Sequence, residues 1–387
     1  MVVIRRSTIF CLFILSLMMG PMLHAAETSG VEADTVERKS IVDKVVDYFA
    51  HSNDGRSDGR FDVSFIGGPH YSSETKLGIG LVAAGTYSSA PGDTLTPPSN
   101  VSLYSDVSTI GFVTVGIRGN QIFPHDRYRL NYDVSFTYNP SKFWGIGFDN
   151  NIEDKNESKY DLLESELITE FLFNLGKGWF VGPKAHFFYV KGKNPHNVYL
   201  WEGQDLRTFN YGLGVTAQYD SRDNLTNPHT GYYLTFNQLF LPRFMGNDYA
   251  FSRTEFTASN YRPLWRDATL AAQIHASLNY GNVPWGMLAT IGGNHSMRGY
   301  YKGRYRDKCD IDFTVELRQH VYRRSGIAVW GGLASVFPKF SALRFDRLLP
   351  NVGVGYRWEF KKNMNVRVDV GFGRHCKGLL FGINEAF

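Results

Sequence analysis

The chain has 387 residues, 43% hydrophobic and 15% aromatic, with 39 glycines and a formal net charge of +4. A helical membrane protein needs spans of roughly 20 apolar residues, and the one long apolar run, Ile9 to Leu23, excludes that class. Abundant aromatics and balanced charge exclude disorder, and the near-neutral balance leaves no concentrated basic face for nucleic acid.

Residues 1–26 carry Arg5 and Arg6, an apolar core from Ile9 to Met19, a Gly20-Pro21 break and the small residues Ala25 and Ala26. That order reads as a secretory signal peptide, too short in its apolar core to anchor the chain. Residues 27–60 form a polar lead-in. Ile41, Val45 and Tyr48 stand at helical spacing within it, and SNDGRSDGR follows as a linker. Such a segment is too short to build a domain with its own core. Cys11 leaves with the signal peptide. Cys309 and Cys376 remain and could pair in an oxidising periplasm, although a chain of this size needs no staple.

From Phe61 to Phe387 the pattern has period two. Tyr128, Leu130, Tyr132, Val134, Phe136 and Tyr138 alternate with Arg127, Arg129, Asn131, Asp133, Ser135 and Thr137. Ile311, Phe313, Val315 and Leu317 alternate with Asp310, Asp312, Thr314, Glu316 and Arg318. Strict alternation predicts strands with one apolar and one polar face. Their length exceeds the roughly five or six residues usual in globular proteins. A polar face rich in Asp, Glu, Arg and His suits a wetted lumen, and the apolar face suits lipid. The expected fold is all-β, a transmembrane antiparallel barrel of about 16 strands spanning residues 61–387, behind a short helix-like lead-in.

Loop lengths point the same way. Long connections (Asn139 to Ser158, Lys191 to Leu206, Gly281 to Lys308, Phe337 to Leu349) alternate with short ones (Asn174 to Gly178, Pro263 to Asp267, Tyr322 to Ser325). Surface loops and periplasmic turns alternate in this way in outer-membrane barrels. Ser89 to Asn100 is long on the side of the short turns, so the first strands are the least sharply defined.

Met297-Arg298-Gly299-Tyr300, within the run Ser296 to Asp307, matches a V-R-G-F/Y motif. Asp220, Arg222 and Asp223, continuing to Gly231, form a matching turn and strand start, and LLFGINEAF ends in Phe387. On these residues the barrel segment resembles the bacterial surface-antigen or outer-membrane assembly-factor superfamily, of BamA/TamA type. The resemblance implies that the loop folds into the lumen and that Arg298 pairs with inward acids, Glu316 being the first. Where many relatives carry a second acid this chain reads Val329-Trp330-Gly331-Gly332, so Asp312 or Asp369 would have to substitute. Phe387 resembles the terminal signal read by the barrel insertion machinery.

The same resemblance implies a transport or assembly module in the outer membrane of a Gram-negative bacterium. The barrel would contact outer-membrane lipid, and the short lead-in leaves no room for the family's periplasmic repeats. A separate periplasmic subunit would then handle substrate. A passive pore or structural surface barrel is the alternative, and a barrel hydrolase ranks third. His186, His275 and His320 are expected to be lumen-facing polar residues. No HExxH, CxxC or GxSxG is present in the sequence, so neither a catalytic role nor a metal or cofactor is expected.

Overall fold

A strand with one apolar face needs an apolar medium for it, and only a closed sheet supplies this without an unpaired edge. The computed structural model describes residues 62–89, 96–361 and 363–387; the expected signal peptide and lead-in lie outside the described residues. The strands are β1 (Asp62–Ser72), β2 (Lys76–Tyr87), β3 (Ser99–Ser108), β4 (Val113–Ile122), β5 (Tyr128–Phe143) and β6 (Ser158–Gly176). They continue as β7 (Trp179–Lys193), β8 (Arg207–Asp220), β9 (Gly231–Leu241), β10 (Phe251–Pro263), β11 (Ala268–Gly281), β12 (Ala289–Thr290) and β13 (Arg306–Asp307). The last are β14 (Cys309–Tyr322), β15 (Ser325–Phe337), β16 (Leu349–Lys361), β17 (Met364–Gly373) and β18 (Cys376–Ile383). All except β12 and β13 close into one antiparallel barrel of sixteen strands, and β12 pairs β13 inside the β11–β14 connection.

Burial runs opposite to that of a soluble sheet. On β14, Asp310, Asp312, Thr314, Glu316 and Arg318 are buried, while Phe313 between them is 46% exposed. The outer face carries Phe65, Leu81, Leu103, Val134, Phe136 and Val352, all exposed. Apolar side chains turned outward and charges turned inward fit a sheet whose surroundings are lipid.

Hairpin ends alternate between a long-loop end and a short-turn end. The β11–β14 connection leaves from the long-loop end, and the turns β6–β7 and β14–β15 close the other. Closure of the barrel is uneven. β17 and β18 are in register from Val366↔Ile383 to Gly373↔Cys376, but β1 meets β18 at Ser72↔Leu380. Beside that pair Ser73 N donates to Leu379 O at 3.2 Å, and Leu379 N to Ser73 Oγ at 3.0 Å. The sequence suggests a last strand running through Phe387. Instead β18 stops at Ile383, Asn384 adopts a left-handed φ of 65°, and Asn384–Phe387 bends off the wall.

The in–out assignment makes one expectation. Val134→Arg, on the outer face of β5, should weaken folding into bilayers by about 2–4 kcal/mol, whereas Ser135→Arg, facing the lumen, should cost much less. Urea titration of folding into vesicles measures both, and equal costs would contradict the assignment.

Candidate functional site

The β11–β14 connection is too long to be ordered by its own backbone, because each residue fixed costs about 1–2 kcal/mol of conformational entropy. Arg298 supplies its main attachment. The side chain is fully buried, and its guanidinium donates from Nη1 to Asp369 Oδ2 at 2.7 Å and from Nη2 to Glu316 Oε2. The ring of Trp330 lies 3.7 Å from the guanidinium carbon. Asn351 Nδ2 donates to the Arg298 carbonyl at 2.6 Å, and Trp330 Nε1 donates to Asn351 Oδ1 at 2.8 Å. Glu316, Trp330, Asn351 and Asp369 come from β14, β15, β16 and β17, so four consecutive strands each contribute one inward group.

Further arginines surround the same carboxylates. Arg318 Nε donates to Glu316 Oε1 at 2.7 Å. Arg357 Nη1 reaches Asp369 Oδ1 at 2.6 Å, and Arg367 Nη1 reaches Asp369 Oδ2 at 2.7 Å. Arg357 Nε also donates to Glu385 Oε2 at 2.8 Å. Hence Arg298, Arg318, Arg357 and Arg367 share Glu316, Asp369 and Glu385 in a buried network. Without Arg298 the remaining arginines and carboxylates still pair, so the wall's own ions stay satisfied.

Glycine makes the close approach possible. Gly299 has φ of 108°, and a Cβ on Gly371 would lie 2.1 Å from the Arg298 carbonyl oxygen. Met297 is buried, with its sulfur beside Gly332. Tyr300 packs over Gly373, its hydroxyl donating to Pro350 O at 2.7 Å and accepting the Arg374 N–H at 2.7 Å. Burial pushes the Tyr300 phenol up, which keeps the donated proton in place.

The acid beside Arg298 that β15 lacks is provided by Asp369, one of the two substitutes named from sequence; Asp312 instead binds Ser296 and His275. Ser296 and His275 reach opposite oxygens of that one carboxylate, an order that does not place the histidine as a base for the serine. His186 bonds Glu166 at 2.8 Å on the inner wall. His320 departs from the lumenal expectation: it is exposed at the short-turn end and bonds Arg323 O. Cys309 and Cys376 are free thiols.

Asp220, Arg222 and Asp223 lie away from Arg298, at the short-turn end. Arg222 Nη2 donates to Asp220 Oδ2 at 2.7 Å, and Asp223 accepts the His229 and Thr230 amides. Burial, which raises the Asp223 carboxyl, is outweighed by those two donors, which hold it below the usual range. Gly231 has φ of 106°, and a Cβ there would meet Ser221 O at 2.2 Å. These residues build a turn. Phe387 lies near the inner network, its carbonyl oxygen accepting from Arg318 Nη2 at 2.7 Å, and His295 bonds Ala386 O at 2.8 Å. Burial, then the charges of Arg367, Lys302 and Arg298, lower the His295 pKa although the Ala386 bond opposes them.

Beside the anchored connection lies a cavity of about 960 Å³. Glu164, Glu166, His186 and Phe188 line it from the inner wall, while Trp358, Val366, Phe381 and Ile383 line it from the outer face. Space shared by both faces means that the wall is breached between β1 and β18, below the Ser72↔Leu380 pair.

Residues 113–333, which hold both Arg298 and Glu316, match the Omp85 superfamily domain. The chain belongs to the Omp85 superfamily. Among solved structures this Omp85 barrel is similar to BamA from Haemophilus ducreyi lacking POTRA domains 1–3, at 12% identity and a TM-score of 0.58. It is also similar to CdiB from Acinetobacter baumannii, at 11% identity and a TM-score of 0.54, and to CdiB from Escherichia coli, at 12% and 0.53. Each likeness covers 84% of this chain; the chain spans 70%, 60% and 67% of theirs, in that order. At such identities the likeness shows the fold. Among curated proteins no sequence match is found.

The shared network ranks the substitutions around this Omp85 site. Asp369→Ala strips a common partner from Arg298, Arg357 and Arg367 and should cost about 3–5 kcal/mol. Arg298→Ala should release the connection yet leave barrel stability closer to wild type. Urea unfolding combined with limited proteolysis of residues 282–308 measures both effects, and the reverse ranking would contradict the network.

Proposed function

We propose that the chain is an integral barrel of the Gram-negative outer membrane that acts as a transport or assembly module, passing cargo between lumen and bilayer through the β1–β18 seam. One observation carries this reading: the wall is held at Ser72↔Leu380 and breached below it, while the neighbouring β17–β18 pair is in register along its length. A passive pore has no use for such a seam. The Arg298 network adds support, because it fixes the loop carrying Met297 to Tyr300 against β14 to β17 and leaves a cavity on the seam side among the described residues. In this reading residues 1–26 direct export, Phe387 serves the insertion machinery during biogenesis, and a separate periplasmic subunit delivers substrate. The surrounding partner is outer-membrane lipid.

Locking the seam tests the proposal. Tyr71→Cys with Phe381→Cys, the next pair below Ser72↔Leu380, forms a disulfide across it in a Cys309→Ser, Cys376→Ser background. Cells carrying only the oxidised form should show the same change in outer-membrane protein or lipid composition as a deletion strain, and reduction should reverse it. A locked protein whose cells keep a wild-type outer-membrane protein and lipid composition would overturn the proposal.

A further inference from the structure

The lumenal cavity has an apolar side and a polar one. Val82, Leu162, Phe188, Val190, Met287 and Leu288 turn apolar surface toward the space, while Glu74, Glu164 and Glu166 line its polar side. Val82 lies opposite Tyr104 on β3, whose hydroxyl donates to Asp133, so it shares the lumenal face; its neighbour Leu81 is 58% exposed on the outer face. An apolar chamber inside a wetted lumen attracts an apolar occupant. The breach at the seam joins it directly to Phe381 and Ile383, the side chains that face the acyl region of a bilayer.

The polar side of the chamber carries the carboxylates Glu74, Glu164 and Glu166 beside Lys302, and so suits a headgroup that has both an ammonium and a phosphate. Most of its cations already have partners: His70 pairs with Asp106 at 2.7 Å, His186 with Glu166 at 2.8 Å, and Arg253 Nε with Asn279 at 2.9 Å. Lys302 is different. Its backbone N–H donates to Glu74 Oε1 at 2.7 Å, which fixes the residue at the chamber, while its side chain is exposed and makes no ion pair or hydrogen bond among the described residues. A lysine ammonium is a point-charge ligand for phosphate oxygens and accepts varied approach geometries.

We propose that this chamber binds a glycerophospholipid drawn from the bilayer through the β1–β18 seam, with an acyl chain along Val82, Leu162 and Phe188 and the headgroup phosphate at Lys302. The proposal rests on the seam reading above and names a substrate class for it. An extended polypeptide fits the chamber less well. Its backbone amides would be buried against Val82, Leu162 and Val190 without partners, whereas an acyl chain has no polar groups to satisfy. The volume of about 960 Å³ also lies within the roughly 300–1,000 Å³ of small-molecule sites.

The test is photo-crosslinking of the full chain in nanodiscs of phosphatidylethanolamine and phosphatidylglycerol. Benzoylphenylalanine replaces Val82 or Leu162 in the chamber, Leu81 on the outer face, or Gln218 on the lumenal wall outside the chamber. Heat-modifiable gel mobility confirms that each variant is folded. Phospholipid-mass adducts are expected at Leu81, Val82 and Leu162 and absent at Gln218. Oxidation of the Tyr71→Cys/Phe381→Cys lock before reconstitution should remove the Val82 and Leu162 adducts and spare the one at Leu81. In nanodiscs doped with diacylglycerol, Lys302→Gln should abolish the chamber's preference for phospholipid over diacylglycerol. Adducts at Leu81 alone, or peptide adducts in the chamber of protein purified from cells, would overturn the lipid proposal while leaving the seam reading intact. Chamber adducts that persist in the locked protein would overturn the route through the seam, and so separate its failure from that of the binding site.

Discussion

A guanidinium withdrawn completely from water must find carboxylates, because an unpaired buried charge is among the most expensive features a fold can contain. Arg298 meets that demand with Asp369 and Glu316, and the requirement propagates outward. Each carboxylate has more than one arginine, each of these arginines has more than one acceptor, and the network ends on Glu385 beyond the last strand. The connection between β11 and β14 is therefore part of the wall's electrostatics and not a passenger inside the barrel. Among the described residues it separates an ion-paired side along β14 to β17 from the cavity toward the seam.

Backbone packing and charge reinforce each other at this point. Gly299, Gly371 and Gly373 let the loop backbone and the Tyr300 ring lie directly on β17. A side chain at Gly371 would push the Arg298 carbonyl away and draw the guanidinium out of reach of Asp369. The tail is tied to the same place, since Asn365 and Arg357 hold Glu385 while His295, from the loop, holds Ala386 O. Loop, tail and last strand thus share one set of contacts next to the breach in the wall.

The barrel was legible in the sequence because a closed sheet in lipid inverts the burial of a soluble one, and that inversion is written in strict alternation along β5 and β14. Arg298 and Glu316 were legible from a motif and from strand parity. Asp369 stood only as one of two substitutes, because parity gives the face of a residue but not its height in the barrel, which depends on the shear between strands. Trp330 carried no signal as a partner. It occupies the stretch where an acid was sought, and its ring covers the guanidinium face instead. The inward bend after Ile383 was missed because LLFGINEAF is rich in apolar and aromatic residues and ends in Phe387, and the turn depends on a left-handed Asn384 and on distant Arg357 and Arg318. The seam was illegible for a similar reason: the strength of pairing between the first and last strands has no local sequence signature.

The most direct test of the Arg298 network is hydrogen–deuterium exchange of the β11–β14 connection in the folded barrel. If buried ion pairing fixes the loop, amides around Gly299 and Tyr300 exchange as slowly as those of β16 and β17, and Glu316→Gln accelerates them without exposing the strands. Amides at Gly299 and Tyr300 that exchange in the wild-type protein as fast as those of the exposed β15–β16 connection would contradict the account.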